Sequence, residues 1–600
     1  MRNTLFAGFA CLLLAGSAIG QAHDNVWARF VSSPSSLSAG TISDNSTETD
    51  VDWGDLDQNG YIDVVVVRKQ EFTSVGKRTN ILLMNYDGVL TDMTTTFAAT
   101  SSDVPGDTGF RTPTNDRDVV VSDVDGDGWL DVITATTISD SDPKHIGHPR
   151  VYLNLGDDIN GDWQGLDFQD VRIPQFLHFT SGAPLNPRFC SVDAGDLTGN
   201  GSVDLYFGDY DSSGAGGSQQ PGASDLNDRL LINDGAGFFS DDSQLRMSSQ
   251  MLLSAFGTSV VIDDMNGDGR NDVIKDTALN APQYVSISYN NLLGAGTHGM
   301  FNSFDNSENG SGAPYFAETG DLNADGRPDI ITSDDGQDRY RINLGNDALE
   351  RAEFSGGSGG HPYSYVEGGD TGFASNNLIV DINNDGWGDA VYADVDVDIP
   401  SSNRMHIYHN AGPQEGTPVG GIPTMREEFG DASGNWIGAK GLLNADLQAV
   451  HDFAAADFNN DGWTDLLISR EGGTFVWLQE ALVAQVDLGF GGPGNVNLSV
   501  IGDDLTEDDS VARYQVTGAG ASATVFNVLG LSSTPTPFKG GTLVPIPVLQ
   551  ILPTLADGNG TIAFNVRGGS ASPVSVFAQS VWDNGSNFEF SNAVEIVIGF

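Results

Sequence analysis

The sequence predicts an all-β chain that consists of seven repeated units and a C-terminal segment of a different kind. Three observations lead to this prediction. A nine-residue motif, D-x-[DNT]-x-[DN]-G-x-x-D, occurs seven times at nearly even spacing. Short runs of β-branched and aromatic residues flank each copy, as expected for strands that a tight loop joins. After residue 483 the motif stops, and alternating apolar runs with Gly and Pro turns continue to the end.

Composition and charge restrict the partners of this chain. Its 600 residues exceed the size of one ordinary core, so several domains or a repeat array are expected. With 27 Lys and Arg against 82 Asp and Glu, the formal net charge is −55. Nucleic acids and anionic membrane surfaces bind through clusters of Lys and Arg, so we expect neither as a partner. Such an acidic chain is suited to bind cations.

The N-terminus has the layout of a secretory signal peptide. Arg2 precedes an apolar stretch that ends near Ile19, and small residues follow, so we expect residues 1–22 to be removed on export. No later stretch is apolar enough to span a membrane. The exported chain would keep one cysteine, Cys190, and could form no internal disulfide. We therefore expect a secreted, extracellular protein, and attachment to a cell surface stays open. Without a disulfide, another stabilising element is expected, such as bound metal ions.

The seven copies of the motif are the main functional signal. All have Asp at the first position, Gly at the sixth and Asp at the ninth, and the fifth is always Asp or Asn. Their first aspartates lie 57 to 76 residues apart, which indicates a repeat architecture. The copies, named loops 1 to 7, are DLDQNGYID (55–63), DVDGDGWLD (123–131), DLTGNGSVD (196–204), DMNGDGRND (264–272), DLNADGRPD (321–329), DINNDGWGD (381–389) and DFNNDGWTD (457–465).

Each loop is predicted to join two strands of a hairpin and is not an EF-hand. Apolar runs such as DVVVS (118–122) and VIT (132–134) enclose the motif, and their length and β-branching favour strands. An EF-hand needs a helix on each side and Glu at the twelfth position, which none of the seven copies has. A third strand follows in most repeats and ends in Asn, often with Gly close behind, as in VYLNLG (151–156).

The oxygen-bearing side chains of the motif suit Ca²⁺, which takes about six to eight oxygen ligands. Side chains at positions one, three and five can converge if the chain curls around the ion, and Gly at position six permits the curl. The seventh residue can offer its carbonyl, which would let its side chain vary, and the ninth Asp closes the shell. Asp, Asn and Gly also favour tight turns without an ion, but clustered carboxylates repel one another when no cation is present.

We therefore predict up to seven structural Ca²⁺ ions. The predicted ligands are Asp55, Asp57, Asn59, Asp63, Asp123, Asp125, Asp127, Asp131, Asp196, Thr198, Asn200, Asp204, Asp264, Asn266, Asp268, Asp272, Asp321, Asn323, Asp325, Asp329, Asp381, Asn383, Asp385, Asp389, Asp457, Asn459, Asp461 and Asp465. Ligand charge also predicts an order of affinity. Loop 2 has four carboxylates and should bind most tightly, whereas loop 3 has two and should be the weakest site or stay empty.

Hairpins around this motif, followed by a strand and an N-x-G-like turn, resemble the FG-GAP/VCBS repeats of integrin α-subunits and of many secreted bacterial proteins. The resemblance covers roughly residues 25–483, and the bacterial variety is closer because Phe-Gly pairs are mostly absent. It implies that residues 23–483 form a seven-bladed β-propeller with four-stranded blades and the calcium loops on one face. Physical reasoning agrees, since repeats of this length have no core of their own and must stack on neighbours.

Residues 484–600 lack the motif and are predicted to form a separate module. Runs such as VNLSVIG and TIAFNVRG alternate apolar and polar residues between Gly and Pro turns. About a hundred residues of short strands in this pattern favour a β-sandwich of the Ig-like kind.

No catalytic constellation stands out, so we expect no enzyme activity. GGSGG (356–360) fits G-x-S-x-G and GFGGPG (489–494) fits G-x-G-x-x-G, but neither has the strand and helix that these motifs require. We interpret the chain as a calcium-binding module for adhesion or binding, with an extracellular carbohydrate or protein as ligand. Two alternatives stay open: a polysaccharide-degrading, lyase-like enzyme on a calcium propeller, and a structural surface or matrix protein.

Overall fold

The computed structural model of the chain contains two compact units. The larger comprises Val31–Phe429 and Leu442–Gln479, and the smaller is formed mainly by Glu480–Phe600. The predicted signal peptide and the predicted ligand Asp385 lie outside the described residues. The structure describes residues 28–38, 48–69, 77–137, 142–179, 181–209, 227–252, 259–277, 284–290, 299–305, 314–334, 338–363, 374–384, 386–394, 405–410, 412, 417–426, 439–440, 442, 446–470, 473–480, 485–494, 496–502, 505–506, 511–558, 560–569, 572–585 and 587–599.

In its described residues the larger unit contains a separate two-stranded hairpin and seven successive sheets, in each of which a motif loop joins two antiparallel strands, the first and second strands of the sheet. Strand β1 (Ala28–Ser32) precedes them, and its last residues, Val31 and Ser32, belong to this unit. Sheet 1 consists of β2 (Glu48–Gly54), β3 (Asp63–Lys69), β4 (Ile81–Tyr86) and β5 (Val89–Asp92). Sheet 2 consists of β7 (Asp116–Ser122), β8 (Asp131–Thr136), β9 (Arg150–Asn154) and β10 (Leu166–Phe168), and β6 (Thr100–Ser101) pairs with β10 in parallel at its edge.

The next two sheets repeat this order without interruption. Sheet 3 consists of β11 (Phe189–Gly195), β12 (Asp204–Asp209), β13 (Arg229–Asn233) and β14 (Phe239–Asp241). Sheet 4 consists of β15 (Val260–Asp263), β16 (Asp272–Thr277), β17 (Tyr284–Asn290) and β18 (Phe301–Asp305).

The last three sheets depart slightly from the pattern. Sheet 5 consists of β19 (Pro314–Gly320), β20 (Asp329–Asp334), β21 (Arg339–Arg341) and β24 (His361–Pro362), with the hairpin β22 (Asn343–Asn346) and β23 (Ala352–Phe354) inserted before its last strand. Sheet 6 consists of β25 (Ala374–Val380), β26 (Asp389–Asp394), β27 (His406–Asn410) and β28 (Met425–Arg426), and β29 (Ala439–Lys440) follows. Sheet 7 contains β30 (Val450–Ala456), β31 (Asp465–Arg470) and β32 (Gly473–Gln479).

Helix is a minor component of the described residues. They contain three one-turn α-helices, α1 (Thr94–Phe97), α2 (Lys144–Gly147) and α3 (Ser243–Arg246). A helix with the length and apolar character needed to cross a bilayer is not found in the described parts of the chain.

The first strands of the seven sheets pack side by side in a closed order. β2 contacts β7, and the series continues through β11, β15, β19, β25 and β30 back to β2. A hydrogen bond supports the closure between the last sheet and the first, because the Val51 amide donates to Asp452 Oδ2 at 2.7 Å. The seven sheets therefore form a ring.

The core of the ring lies between neighbouring sheets. In β3, Val64 and Val66 pack in a cluster with residues of sheet 7, whereas Val65 and Val67 pack in a cluster with residues of sheet 2. A strand covered on both faces reads as a continuous apolar run, which explains the VVVV sequence. Each fully buried valine stabilises the fold by about 1.5–3 kcal/mol relative to an exposed one. The repeats are thus held together mainly by their contacts with each other.

The described residues of the smaller unit form two main sheets that share a buried cluster, and a short two-stranded sheet. The larger sheet has the order β33 (Gln485–Gly489), β42 (Phe588–Ile598), β41 (Val574–Asp583), β36 (Thr524–Gly530) and β39 (Val548–Leu555). The smaller sheet consists of β34 (Asn497–Gly502), β35 (Val511–Thr517) and β40 (Ile562–Arg567), and β37 (Thr536–Phe538) pairs with β38 (Gly541–Leu543). Leu498 and Tyr514 from one sheet share a buried cluster with Val576 and Ile596 from the other.

Candidate metal centres

The seven loops lie at the same place in the seven sheets. The second strand of each sheet begins at the ninth residue of its loop, and this Asp is fully buried in all seven. Its Oδ1 accepts the backbone amide of an Asn or Gln near the end of the third strand, at 2.7–2.9 Å. The ninth carboxylate is therefore held in place by its own sheet.

The beginning of each loop curls over the first carboxylate. Oδ2 of the first Asp accepts the amide of the sixth residue, Gly, at 2.7–2.9 Å in all seven loops. The φ angles of these glycines lie between 80° and 92°, a region that side-chain-bearing residues rarely adopt. An added Cβ at Gly60 or Gly128 would meet no neighbouring atom, so the backbone conformation is what requires glycine there.

Loops 1 and 2 each bring three carboxylates together. Ligand atoms of Asp55, Asp57 and Asp63 lie within 4.8 Å of one another, and the same holds for the corresponding three aspartates of loop 2. We call these groups the two acidic triads; the second consists of Asp123, Asp125 and Asp131. Oδ1 of Asp55 and Oδ1 of Asp125 are buried and have no hydrogen-bond partner among the described residues. Each triad therefore offers an unused carboxylate oxygen of the kind that binds hard cations.

The triads are electrostatically unfavourable without a cation. Burial raises the pKa of Asp63 to about 8 and the nearby Asp57 and Asp55 add to the rise, although the Asn85 amide opposes it. Burial likewise raises the pKa of Asp131 to about 7, with Asp125 and Asp127 contributing. A divalent ion would reverse this, because an opposite charge within a few ångströms favours the ionised carboxylate. The donor set thus fits a metal ion in both loops.

The predicted ligands at position five have other partners in these two loops. Asp127 is not part of its triad, and its Oδ1 accepts the Trp129 amide at 2.9 Å. Asn59 Oδ1 accepts the Tyr61 amide at 2.7 Å, and its Nδ2 donates to the Asn85 carbonyl at 3.1 Å. In both loops the fifth residue therefore helps to hold the turn, and in loop 2 the structure gathers three of the four predicted side chains.

Loop 3 differs from the triads as its composition predicts. Asp196 accepts three backbone amides, those of Gly199, Asn200 and Gly201, and Asn200 Oδ1 accepts the Ser202 amide at 2.7 Å. The ninth residue, Asp204, has its pKa raised to about 6 by burial. Thr198 stands where loops 1 and 2 have a third carboxylate, so loop 3 cannot form a carboxylate triad from its own residues.

Loops 4 and 5 each contain an internal cation. Arg270, the seventh residue of loop 4, pairs with Asp268, and its Nε donates to the Asn290 carbonyl at 3.0 Å. In loop 5, Arg327 pairs with Asp325 in the same way. Within the described residues, neither loop holds a group of three carboxylates comparable to the triads. The seventh residue, which sequence reasoning left free to vary, therefore pairs with the fifth carboxylate in both loops.

The other predicted ligands of these loops take part in hydrogen bonds. Asp264 accepts the Asp268 amide at 3.0 Å, and Asn266 Nδ2 donates to the Glu350 carbonyl at 2.9 Å. Asp321 accepts the Asn323 amide at 3.2 Å. Burial raises the pKa of the ninth residues, well above its usual value for Asp272 and to about 7 for Asp329.

Loops 6 and 7 keep the common backbone pattern without a triad in their described residues. Asp381 and Asp389 of loop 6 accept the amides of Gly386 and Asn410, and Asn383 Nδ2 lies 3.4 Å from His409 Nε2. In loop 7, Asp457 and Asn459 both accept the Asp461 amide at 3.0 Å. Burial raises the pKa of its ninth residue, Asp465, to about 7.

The strand-end carboxamides are functional residues that sequence reasoning noted but did not assign a role. They are Asn85, Asn154, Asn233, Asn290, Asn343, Asn410 and Gln479, and all seven are buried. Their backbone amides fix the ninth carboxylates, as described above. The signal in the sequence was the recurrence of Asn 14 to 29 residues after the ninth Asp in six of the seven repeats, and the Gly that often follows. At Gly156 an added Cβ would lie 2.7 Å from Trp129 Nε1, so this glycine makes room for the loop's tryptophan.

A second set of carboxylates, of which Asp452 is buried and the others are half-buried, lies on the inner strands of the ring. Asp52, Asp118, Asp193 and Asp452 each accept a backbone amide from the first strand of the next sheet, at 2.6–2.7 Å. Asp52, Asp118 and Asp193 border, together with Glu318, a cavity of about 340 Å³ that Arg117 and His451 also line. Burial raises the pKa of these carboxyl groups to about 7 for Asp52, Asp118 and Asp193 and about 8 for Glu318 and Asp452.

Comparison with known proteins identifies no family. No protein-family model and no curated protein matches the chain, so membership of the FG-GAP/VCBS repeats stays a prediction. Among solved structures, the chain is similar to one described as "Structure of Dos1 propeller", with 10% identity and a TM-score of 0.35 over 72% of this chain and 93% of that one. It is also similar to a "tetra-tandem repeat in extending region of large adhesion protein", with 9% identity and a TM-score of 0.12 over 92% of this chain and 99% of that one. Because both TM-scores lie below 0.5, we base fold and function on the geometry of this chain.

Proposed function

We propose that the chain is a calcium-stabilised, seven-bladed β-propeller with a C-terminal β-sandwich, which acts outside the cell as a binding or adhesion module. The propeller corresponds to the predicted domain 23–483 and the sandwich to 484–600. The two acidic triads carry the proposal, because partly buried, mutually repelling carboxylates with unused oxygens need a cation to become a stable part of a fold.

The ring of seven sheets supports the propeller. In the described residues, each sheet packs against its two neighbours through first strands in a closed order, as in radial repeats that leave only short, protected sheet edges. The loops occupy equivalent positions between first and second strands, so they would share one face of the ring. We propose loops 1 and 2 as the main Ca²⁺ sites, and the predicted ligands of the other five loops as weaker ones.

Calcium is the proposed ion because the donors are oxygens only. The triads offer carboxylates, and the curled loops add backbone carbonyls, whereas the described loops contribute no thiolate or imidazole to either triad. Hard oxygen donors of this kind favour Ca²⁺ or Mg²⁺ over zinc and copper. Calcium tolerates irregular geometry better than magnesium, which suits a nine-residue loop held by backbone hydrogen bonds.

Metal binding is tested by thermal unfolding of the full chain in Ca²⁺, in Mg²⁺ and in excess chelator. We expect Ca²⁺ to raise Tm strongly and Mg²⁺ to raise it less, because an ion that binds only the folded state stabilises it by mass action. The double variant Asp57→Asn with Asp125→Asn should lose most of the response. Identical melting curves in Ca²⁺ and chelator would refute the metal role.

Binding of an extracellular ligand is tested separately with the calcium-loaded protein. A glycan array, repeated in chelator, should show spots that depend on Ca²⁺ if the ligand is a carbohydrate. A blank array with protein that is shown to be folded would exclude the carbohydrate ligand and leave an extracellular protein as the proposed partner. Release of reducing ends from polysaccharides during the incubation would contradict the proposed non-enzymatic role.

A further inference from the structure

Neighbouring loops are connected through the strand-end carboxamides. In six sheets the Asn Nδ2 donates to the carbonyl of the eighth residue of its own loop, at 2.8–3.1 Å. The same Nδ2 also donates to the carbonyl of the second residue of the preceding loop, at 2.6–2.9 Å. Each of these side chains therefore bridges two candidate metal sites that belong to different sheets.

The bridge between the two acidic triads is Asn154. Its Nδ2 donates to the Leu56 carbonyl of loop 1 at 2.7 Å, while its backbone amide donates to Asp131 Oδ1 of loop 2 at 2.8 Å. The Leu56 amide in turn donates to Asp63 Oδ2 at 2.9 Å. A continuous series of three hydrogen bonds thus joins the ninth carboxylate of loop 1 to the ninth carboxylate of loop 2.

Rotation of the Asn154 side chain away from this arrangement would cost free energy. Its side-chain oxygen accepts the Gly156 amide at 3.1 Å and Trp163 Nε1 at 2.7 Å, and the residue is buried. A buried carboxamide with all its groups hydrogen-bonded holds one orientation, since rotation would leave several polar atoms unsatisfied. Movement of the Leu56 carbonyl is therefore transmitted through the Asn154 side chain to the Asn154 backbone amide, which holds Asp131.

We propose that Asn154 is a positioning residue that couples the two metal sites, so that Ca²⁺ in loop 1 raises the Ca²⁺ affinity of loop 2 and the reverse. This inference rests on the proposed calcium binding by both triads. An ion in loop 1 fixes Asp63, and with it the Leu56 peptide and the Asn154 side chain. Loop 2 then loses less conformational entropy when it binds its own ion, which gives positive cooperativity without a change of fold. Linkage requires the effect to be equal in both directions.

The junction between loops 6 and 7 differs from the other six, because its strand-end residue makes no side-chain bridge between the loops in the described residues. Gln479 replaces Asn at this position, and its backbone amide still donates to Asp465 Oδ1 at 2.7 Å. Its side-chain Nε2 and Oε1 have no hydrogen-bond partner among the described residues. A longer carboxamide therefore fits the fold but does not bridge to loop 6, so Asn154→Gln is a substitution that the ring already tolerates elsewhere.

The test follows Ca²⁺ binding loop by loop with hydrogen exchange and mass spectrometry on the full chain. The amides of loop 2 that donate to carboxylates report its occupancy, and their protection is measured against Ca²⁺ concentration. Asp57→Asn disables loop 1 and keeps an oxygen for the Asn59 amide. With Asn154 present, Asp57→Asn should raise the Ca²⁺ midpoint of loop 2 by about fivefold or more. In the Asn154→Gln background the same substitution should leave that midpoint unchanged within about twofold.

The matched control is Asn160→Gln, which makes the same change at an exposed residue. It should keep the full response of loop 2 to Asp57→Asn, and loss of that response would overturn the role of Asn154. A loop 2 midpoint that ignores Asp57→Asn in the parent chain overturns the coupling but leaves calcium binding intact, even if Asn154→Gln does not fold. Absence of any Ca²⁺-dependent protection in loops 1 and 2 overturns the coupling and the proposed function together.

Discussion

Loops 1 and 2 and loops 4 and 5 share one motif but surround their carboxylates with different groups. In loops 1 and 2, three carboxylates of each loop converge, and one oxygen of each triad has no hydrogen-bond partner among the described residues. In the second pair, Arg270 and Arg327 bring a guanidinium to the fifth carboxylate. The comparison teaches that the motif fixes the backbone of the loop, whereas the side chains at its variable positions differ. Loops 1 and 2 have Asp at position three, which completes the triad, and loops 4 and 5 have Asn there and Arg at position seven. Recurrence of D-x-x-x-x-G-x-x-D alone therefore does not assemble a triad.

The largest expected effect separates these two kinds of loop directly. Saturating Ca²⁺ should stabilise the folded chain by about 5 kcal/mol if each triad is filled at a hundred times its Kd, since each site then adds about 2.7 kcal/mol. Asp57→Asn and Asp125→Asn should each remove half of that gain or more, because loss of one ion also weakens the other site, and Asp325→Asn in loop 5 should remove little. Chemical unfolding with and without Ca²⁺ measures the difference. An equal loss in all three variants would show that the triads are not special.

The pH dependence in saturating Ca²⁺ should come from the inner-strand carboxylates and not from the loops. The pKa of Asp52 is raised by burial to about 7, against about 4 in an unfolded chain. A raised pKa in the folded state stabilises the protein below the unfolded value, and this contribution is lost as pH rises towards the folded value. Stability should therefore fall between about pH 4 and pH 8, by up to about 1.4 kcal/mol per pH unit for each such group.

Asp52→Asn isolates this contribution. The variant removes one titrating group, so the slope of stability against pH should become shallower even if the absolute stability also changes. Asp162→Asn, an exposed residue, is the control and should leave the slope as it is. A slope that Asp52→Asn does not alter would show that this carboxylate stays ionised on the inner strand, held by the amides of Trp53 and Val121.

The sequence allowed the all-β class, the hairpin around each loop and the position of the ninth Asp to be predicted. These features depend on local periodicity and on glycine at a positive φ, which neighbouring residues encode. The separation of Asp127 from its triad and the pairing of Arg270 with Asp268 could not be predicted, because each depends on a side-chain orientation set by another strand. Arg270 is held by the Asn290 carbonyl, twenty residues away in sequence. The inner carboxylates also needed the closed ring, since their partners lie on the next sheet.

A smaller effect should follow from giving loop 2 the cation of loops 4 and 5. Trp129→Arg places a guanidinium at the seventh position beside Asp127, and repulsion from the bound ion should weaken Ca²⁺ binding in loop 2 by about tenfold, or about 1.4 kcal/mol. Trp129→Gln loses the same packing on Gly156 without adding charge and should weaken binding less. Loop-resolved hydrogen exchange measures both. Equal weakening by Arg and Gln would assign the effect to lost packing.

The smallest expected effect concerns the one junction that lacks its bridge. Gln479 is 1% exposed, and its side-chain Nε2 and Oε1 have no partner among the described residues, whereas the six strand-end Asn side chains bond to two loops each. Gln479→Asn shortens the side chain to the length that bridges elsewhere, so it should stabilise the chain by about 1 kcal/mol. Gln164→Asn, at an exposed position, should change nothing. Urea unfolding in saturating Ca²⁺ provides the measurement. A loss of stability would mean that the junction between loops 6 and 7 packs better around the longer Gln side chain. The missing hydrogen bonds to loop 6 would then result from the backbone at this junction and not from the identity of residue 479.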